Sequence, residues 1–173
     1  PGDIQWMTAA SGVLHKEYHE EQFSQKGGEF HVVQLWINLP AKDKKADPKY
    51  QSIVNSQIPK VELPDNAGLV EVIAGSYQET NGIASTFTPM HLLNVKLNKG
   101  GNADFSFPAN YNTAILVIEG SVKINNNELV PTDYFALFEN KGESFNLQAV
   151  NKATILVLSG EPIKEAIAAY GPF

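Results

Sequence analysis

Apolar and polar residues alternate with a period of two along much of the chain, the pattern of a strand with one buried face. "FHVVQLWINL" places Val33, Leu35, Ile37 and Leu39 on one side. "HLLNVKLNKGG" alternates Leu93, Val95 and Leu97 and stops at glycines, and "LVEVIAG" also ends in a Gly turn. "TAILVIEGSVKINNNELV" reads as a buried strand, a Glu-Gly turn, an alternating strand and an Asn-rich turn. "DIQWMT", "GVLHKEY", "DYFALF", "SFNLQAV" and "ATILVLSG" complete the strand set. Short strands at this spacing, broken by Gly, Asn and Pro, predict an all-β sandwich or barrel. The pattern predicts a helix only at "EPIKEAIAAYG", which opens with Glu-Pro and closes at Gly. The stretch "PAKDKKADPKYQSIVNSQIPKVELPDNAG" carries four of the ten prolines and reads as an interdomain connection, with a short extended pairing at "IPKVEL".

Composition narrows the function classes. The 173 residues suffice for one ordinary domain or two small ones, and 43% hydrophobic with 18% charged residues is a globular balance. The longest apolar runs, "AILVI" and "TILVL", are far short of the roughly 20 residues a bilayer span needs, so no membrane partner is expected. With no cysteine, thiolate catalysis, disulfides and Cys-based zinc sites are excluded, which fits a reducing compartment: the cytoplasm, or the nucleus in a eukaryote. A formal charge of −6 argues against direct nucleic-acid binding. The lysines of "AKDKKADPK" read as a solvated loop.

Two stretches resemble each other. Pro1, Asp3 and Gly12 match Pro131, Asp133 and Gly142 at one constant offset. Three turn-forming residues can coincide by chance, so both readings stand. A true repeat aligns His15 with Phe145 and Glu17 with Leu147, a polar pair against core-type residues. The second copy has strand from Leu69 up to Val130, whereas nothing precedes Pro1, so the chain is expected to open inside its first domain. Residues i and i+2 of a strand share a face. His15 and Glu17 can therefore reach one metal ion, with non-haem iron, manganese, nickel or zinc all suited to such donors. The same spacing also describes an exposed His and Glu on a solvent-facing strand.

The remaining tempting residues carry blander expectations. His19 sits in the polar run "YHEEQ" and reads as solvated; His31 as partly buried in a core or at an interdomain face; His91 as a surface or interface residue. Trp6 and Met7 lead toward His15, either lining a metal cavity or packing a core, and Trp36 is assigned to packing between sheets or domains. The two "KGG" turns lack the strand-loop-helix setting of a phosphate loop.

"PGDIQWMTAASGVLHKE", "QLWINLPAKDK", the Tyr50-Gln51 pair, "VIAG" and "GEPIKEAIAAYGPF" closely resemble the pirin family of the bicupin superfamily, in order and across almost the whole chain. The resemblance implies a double-stranded β-helix (cupin) architecture: two β-barrels, the first incomplete here and the second complete. The implied division is a first-barrel remnant over 1–40, a connector over 41–68, a second cupin over 69–160 and a tail over 161–173. It further implies a non-haem iron in the first barrel, held by three histidines and a glutamate. His15 and Glu17 match the second half of that ligand set. The first half, a His-x-His pair ahead of the Pro-Gly-Asp turn, has no match in this sequence. The implied activity is that of a quercetin 2,3-dioxygenase on a flavonoid-like small molecule, impaired where the ligand set is partial. The alternative is a non-catalytic protein-interaction or transcriptional co-regulator module with a protein partner. An incomplete first barrel would leave strand edges open, so self-association is the expected assembly, with a retained separate fragment or a fold-back onto the second barrel as the other outcomes.

Overall fold

The computed structural model describes residues 2–170. Fourteen strands appear in chain order: β1 (Ile4–Thr8), β2 (Lys49–Ile53), β3 (Lys60–Leu63), β4 (Gly68–Ala74), β5 (Ser76–Tyr77), β6 (Thr80–Asn81), β7 (Met90–Leu97), β8 (Asn102–Ser106), β9 (Asn112–Glu119), β10 (Ser121–Ile124), β11 (Glu128–Pro131), β12 (Phe135–Leu137), β13 (Ser144–Ala149) and β14 (Ala153–Gly160). They build a six-stranded sheet in the order β12-β9-β14-β7-β4-β3 and a four-stranded sheet in the order β11-β10-β13-β8. Every pairing in both sheets is antiparallel. The alternation predicted an all-β fold, and the cupin architecture is the one that the family resemblance implied.

The period-two pattern decides which side chains meet. Leu93, Val95 and Leu97 of β7, Ile115 and Val117 of β9, and Ile155 and Val157 of β14 point at Phe105, Val122, Phe145 and Leu147 from the opposing sheet, forming one core. The β14 run "ILVL" does not alternate because both faces of the strand are covered. Its other face joins a second apolar cluster, where Leu158, with Ile4, Trp6 and Ala84, packs on Ile53, Ile58, Ile73, Ala74 and Leu92. The Glu-Gly turn between β9 and β10 depends on Gly120, at φ 75, where an added Cβ would run into the carbonyl oxygen of Lys152.

The N-terminal ribbon rests on that second cluster. β1 pairs with β2 from Ile4↔Ile53 to Thr8↔Lys49. The Trp6 Nε1–H donates to the Ser85 carbonyl oxygen at 2.9 Å, and the Ser85 N–H donates to Gln51 Oε1 at 2.9 Å. Trp6 therefore packs on the second domain, one of its two expected roles.

Several sequence expectations are corrected. "GVLHKEY" and "FHVVQLWINL" form no strand; Leu14 is fully exposed and Trp36, expected between sheets or domains, is 85% exposed. His31 is exposed rather than partly buried. A strand needs a neighbour for its N–H and C=O groups, and alternation alone supplies none. No helix forms over 161–170, where Ile167 and Tyr170 are exposed. A short helix with no surface to bury its apolar stripe is marginal. This segment instead runs without regular structure, and the Glu165 carboxylate accepts the Ala41 N–H at 2.9 and 3.1 Å. Among the described residues the one α-helix is α1 (Glu21–Lys26), which begins in the polar run "YHEEQ" where no helix was predicted. Glu20 caps it, accepting from the Gln22 and Phe23 N–H groups at 3.0 and 2.9 Å, and those two bonds hold its carboxyl below the ordinary glutamate value.

Candidate metal centre

His15 and Glu17 lie in irregular chain between β1 and α1. Their side chains turn to the same side, with His15 Nε2 3.5 Å from Glu17 Oε1. The intervening pair turns to its own side, with Lys16 Nζ 4.7 Å from the Tyr18 ring centroid. Both are i, i+2 contacts, the spacing that shares a face in extended chain, although no ladder holds these residues. The imidazole is 40% and the carboxylate 61% exposed, so the site is wet.

The structure brings no third donor to this pair. Among the described residues no group of three or more His, Asp or Glu side chains could hold an ion. His19 packs edge-on against Phe23 and tilted against Phe30, with ring centroids 5.5 and 4.9 Å away. His91, expected at the surface or an interface, is half-buried at the start of β7, with its ring 4.8 Å from that of Phe107 and Nδ1 within 3.0–3.1 Å of the Ser76 backbone N and O. The donor chemistry of His15 and Glu17 fits two positions of a non-haem metal site. A nitrogen and an oxygen about 3.5 Å apart can both contact one ion with small rotations.

At the matched offset in the second domain, Phe145 and Leu147 project from β13 into the core. Phe145 lies 4.4 Å from Phe138 and 5.2 Å from Phe105, ring to ring. Apolar side chains fill the volume that a polar pair would need.

One residue with a positioning role escaped the sequence reading. Glu71, inside the apolar run of β4, is only 2% exposed. Its oxygens accept from Asn55 Nδ2 at 3.1 Å, Asn94 Nδ2 at 2.7 Å and Lys96 Nζ at 3.0 Å, and Lys60 Nζ lies 3.6 Å away. Burial by itself would raise its pKa, but the hydrogen bonds from Asn55, Lys96 and Asn94 and the Lys96 charge together hold the carboxyl below the ordinary glutamate value. The Asn55 N–H in turn donates to Asp3 Oδ1 at 2.8 Å, so the network ties Asp3, just ahead of β1, to Glu71 of β4. The only signal in the sequence was a carboxylate in the middle of "LVEVIAG".

Comparison with known proteins places this arrangement. Residues 92–173 match the family model of the pirin C-terminal cupin domain, and residues 1–37 match the pirin model. The chain belongs to the pirin family. Over its full length this pirin-family chain is 44% identical to a Pseudomonas aeruginosa protein named "Putative quercetin 2,3-dioxygenase" and covers 60% of it. It is 32% identical to pirin from Homo sapiens, again over its full length and 59% of the relative. The crystal structure of a quercetin 2,3-dioxygenase from Acinetobacter baumannii superposes with a TM-score of 0.94 at 40% identity, over 99% of this chain and 60% of that one. The chain thus spans about 60% of the length of these relatives.

Proposed function

We propose that this chain carries the second half of the metal site and the second cupin of a pirin-type dioxygenase acting on a flavonoid-like small molecule. The observation that carries the reading is the His15–Glu17 pair, side by side at 3.5 Å in the segment that matches the pirin model. His15 Nε2 and Glu17 Oε1 would hold an ion, with iron the metal proposed and the remaining donors drawn from a His-x-His strand outside this sequence. A non-haem metal there would supply open coordination positions for substrate and dioxygen. The chain's own residues would orient the ion and, through β1 and the Asp3–Asn55–Glu71 network, seat that segment on the second domain. The division at 1–40, 41–68, 69–160 and 161–173 and a cytoplasmic setting belong to the same reading.

A second reading, a protein-interaction module without catalysis, draws on the exposed Val33, Leu35, Trp36 and Ile37. Metal titration separates the two. This chain alone should bind iron weakly, because two exposed donors make a poor site. A chain extended ahead of Pro1 by a His-x-His strand should bind tightly and lose that affinity on Glu17→Ala. Equal iron affinity of the extended chain and its Glu17→Ala variant would remove Glu17 from the site and favour the interaction module.

A further inference from the structure

We propose that the free edge of β12 docks residues 33–37 of a second copy of this chain, each copy giving that run to the other in a two-fold dimer. The proposal deepens the interaction reading by naming the partner surface. It does not draw on His15 or Glu17, so the iron titration and the association test fail independently.

β12 ends the six-stranded sheet, and among the described residues no strand pairs on its far side. The Val117 N–H donates to the Tyr134 carbonyl at 3.1 Å, and the Phe138 N–H donates to the Thr113 carbonyl at 3.0 Å. Those bonds turn the backbone of Tyr134 and Phe138 toward β9. By the alternation of a strand, Phe135 and Leu137 then direct their N–H and C=O groups outward at the edge. The two residues are 58% and 72% exposed. The other edges of the two large sheets are guarded. β3 carries Lys60 and Glu62, β8 carries Asp104, and β11 carries Glu128 and ends in Pro131. Charge and proline deter pairing by a second chain. β12 is Phe-Ala-Leu, with neither.

The run 33–37 lacks what β12 offers. Val33, Leu35 and Ile37 share one face at strand spacing, are exposed, and have no ladder for their backbone. Antiparallel docking with Leu35 opposite Leu137 and Ile37 opposite Phe135 joins two apolar faces, next to Leu116, which pairs with Phe135. The same register sets Trp36 opposite Ala136, a large side chain against a small one. Charge fixes the direction. Lys42, Lys44 and Lys45 follow the run, and Lys44 Nζ donates to Asn38 Oδ1 at 2.6 Å, which holds it close by. None of the ion pairs among the described residues includes these lysines. Antiparallel docking brings them to the end of β12 where Asp133 is exposed, whereas at the other end Lys141 already pairs with Glu139 at 2.7 Å. Two β12 strands paired about Ala136 would instead set Asp133 against Glu139, like charges that repel. Two reciprocal contacts close on a two-fold axis and leave neither surface open.

Light scattering on the full chain over a wide concentration range should show a monomer–dimer equilibrium. Leu137→Lys places a guard on the edge, and Leu35→Glu places a charge in the run. Each alone should weaken the dimer about a hundredfold, roughly tenfold at each of the two contacts. Both positions are exposed, so unfolding in denaturant should stay close to that of the native chain. Mixed in equal amounts, the two variants should dimerise again. One contact is then native, and in the other the two new charges face each other. If Leu137→Lys fails to fold, Phe135→Lys with Ile37→Glu repeats the exchange at the neighbouring pair. A native chain that stays monomeric, a ladder of larger species, a dimer that survives either variant alone, or variants that do not dimerise when mixed would each overturn the proposal.

Discussion

Residues 30–39 and 153–160 have the same sequence texture and opposite fates. Both are ten or fewer residues of Val, Leu and Ile at strand spacing. In β14 the run pairs on both sides, with β7 and β9, and Ile155 and Val157 are completely buried. In the earlier stretch no ladder forms, and Val33, Leu35, Trp36 and Ile37 face solvent. The difference lies in the neighbours, not in the propensity of either segment. The same holds one step earlier, after the two matched glycines. Gly12 and Gly142 are both left-handed, at φ 117 and 79, yet only Gly142 leads into a strand, β13, because β10 and β8 flank it. A β-strand is a property of a pair, and its hydrophobic pattern is only half of the instruction.

The sharpest way to break this contrast is to truncate a large side chain in each region. Phe145→Ala removes a ring from the core, and unfolding in denaturant should show a loss of about 3–5 kcal/mol. A loss of a few tenths would place Phe145 outside the packed interior and undo the match to His15. Glu71→Gln is next in size. It leaves Lys60 and Lys96 without their carboxylate in a largely closed network, and about 2 kcal/mol should be lost by the same measurement. The pH dependence follows from the direction of the Glu71 shift. Its folded-state pKa lies below the ordinary 4.5, so its stabilisation is complete above that value and disappears as the pH falls through the lowered one. The native chain should therefore lose more stability than Glu71→Gln on acidification below pH 4.5, and parallel curves would sever Glu71 from the network. The smallest effect belongs to the exposed region. Trp36→Ser should shift stability by less than about 0.5 kcal/mol, as a surface change does. Light scattering on the same variant should show less self-association than the native chain. Unchanged association would shift the contact away from this stretch.

The second domain was legible because its patterning and its pairing agree. β7 and β9 to β14 coincide with alternating or apolar runs singled out in the sequence, whereas β8 in "NADFSF" was not recognised. Phe145 and Leu147 stood at the core positions expected of them. The first region was legible in chemistry but not in conformation. Period two placed His15 and Glu17 side by side, yet gave them a strand that the described residues do not form. The tail misled for a related reason, since "IKEAIAA" has helix propensity but no partner surface. Glu71 was missed because a carboxylate in an apolar run has no local signature. Its partners Asn55, Asn94 and Lys96 lie between 16 and 25 residues away in sequence.

The grip of Glu165 on the Ala41 amide spans 124 residues of sequence and joins a C-terminal segment without regular structure to the short 3₁₀ turn Ala41–Asp43. Such a tie makes two weak segments share one opening event. The amide proton of Ala41 should exchange with solvent only as fast as the tail lets go, so its protection reports the tail's equilibrium rather than its own surroundings. A protease that trims the C-terminal segment would, by the same coupling, loosen chain at the far end of the sequence before touching any strand of the cupin.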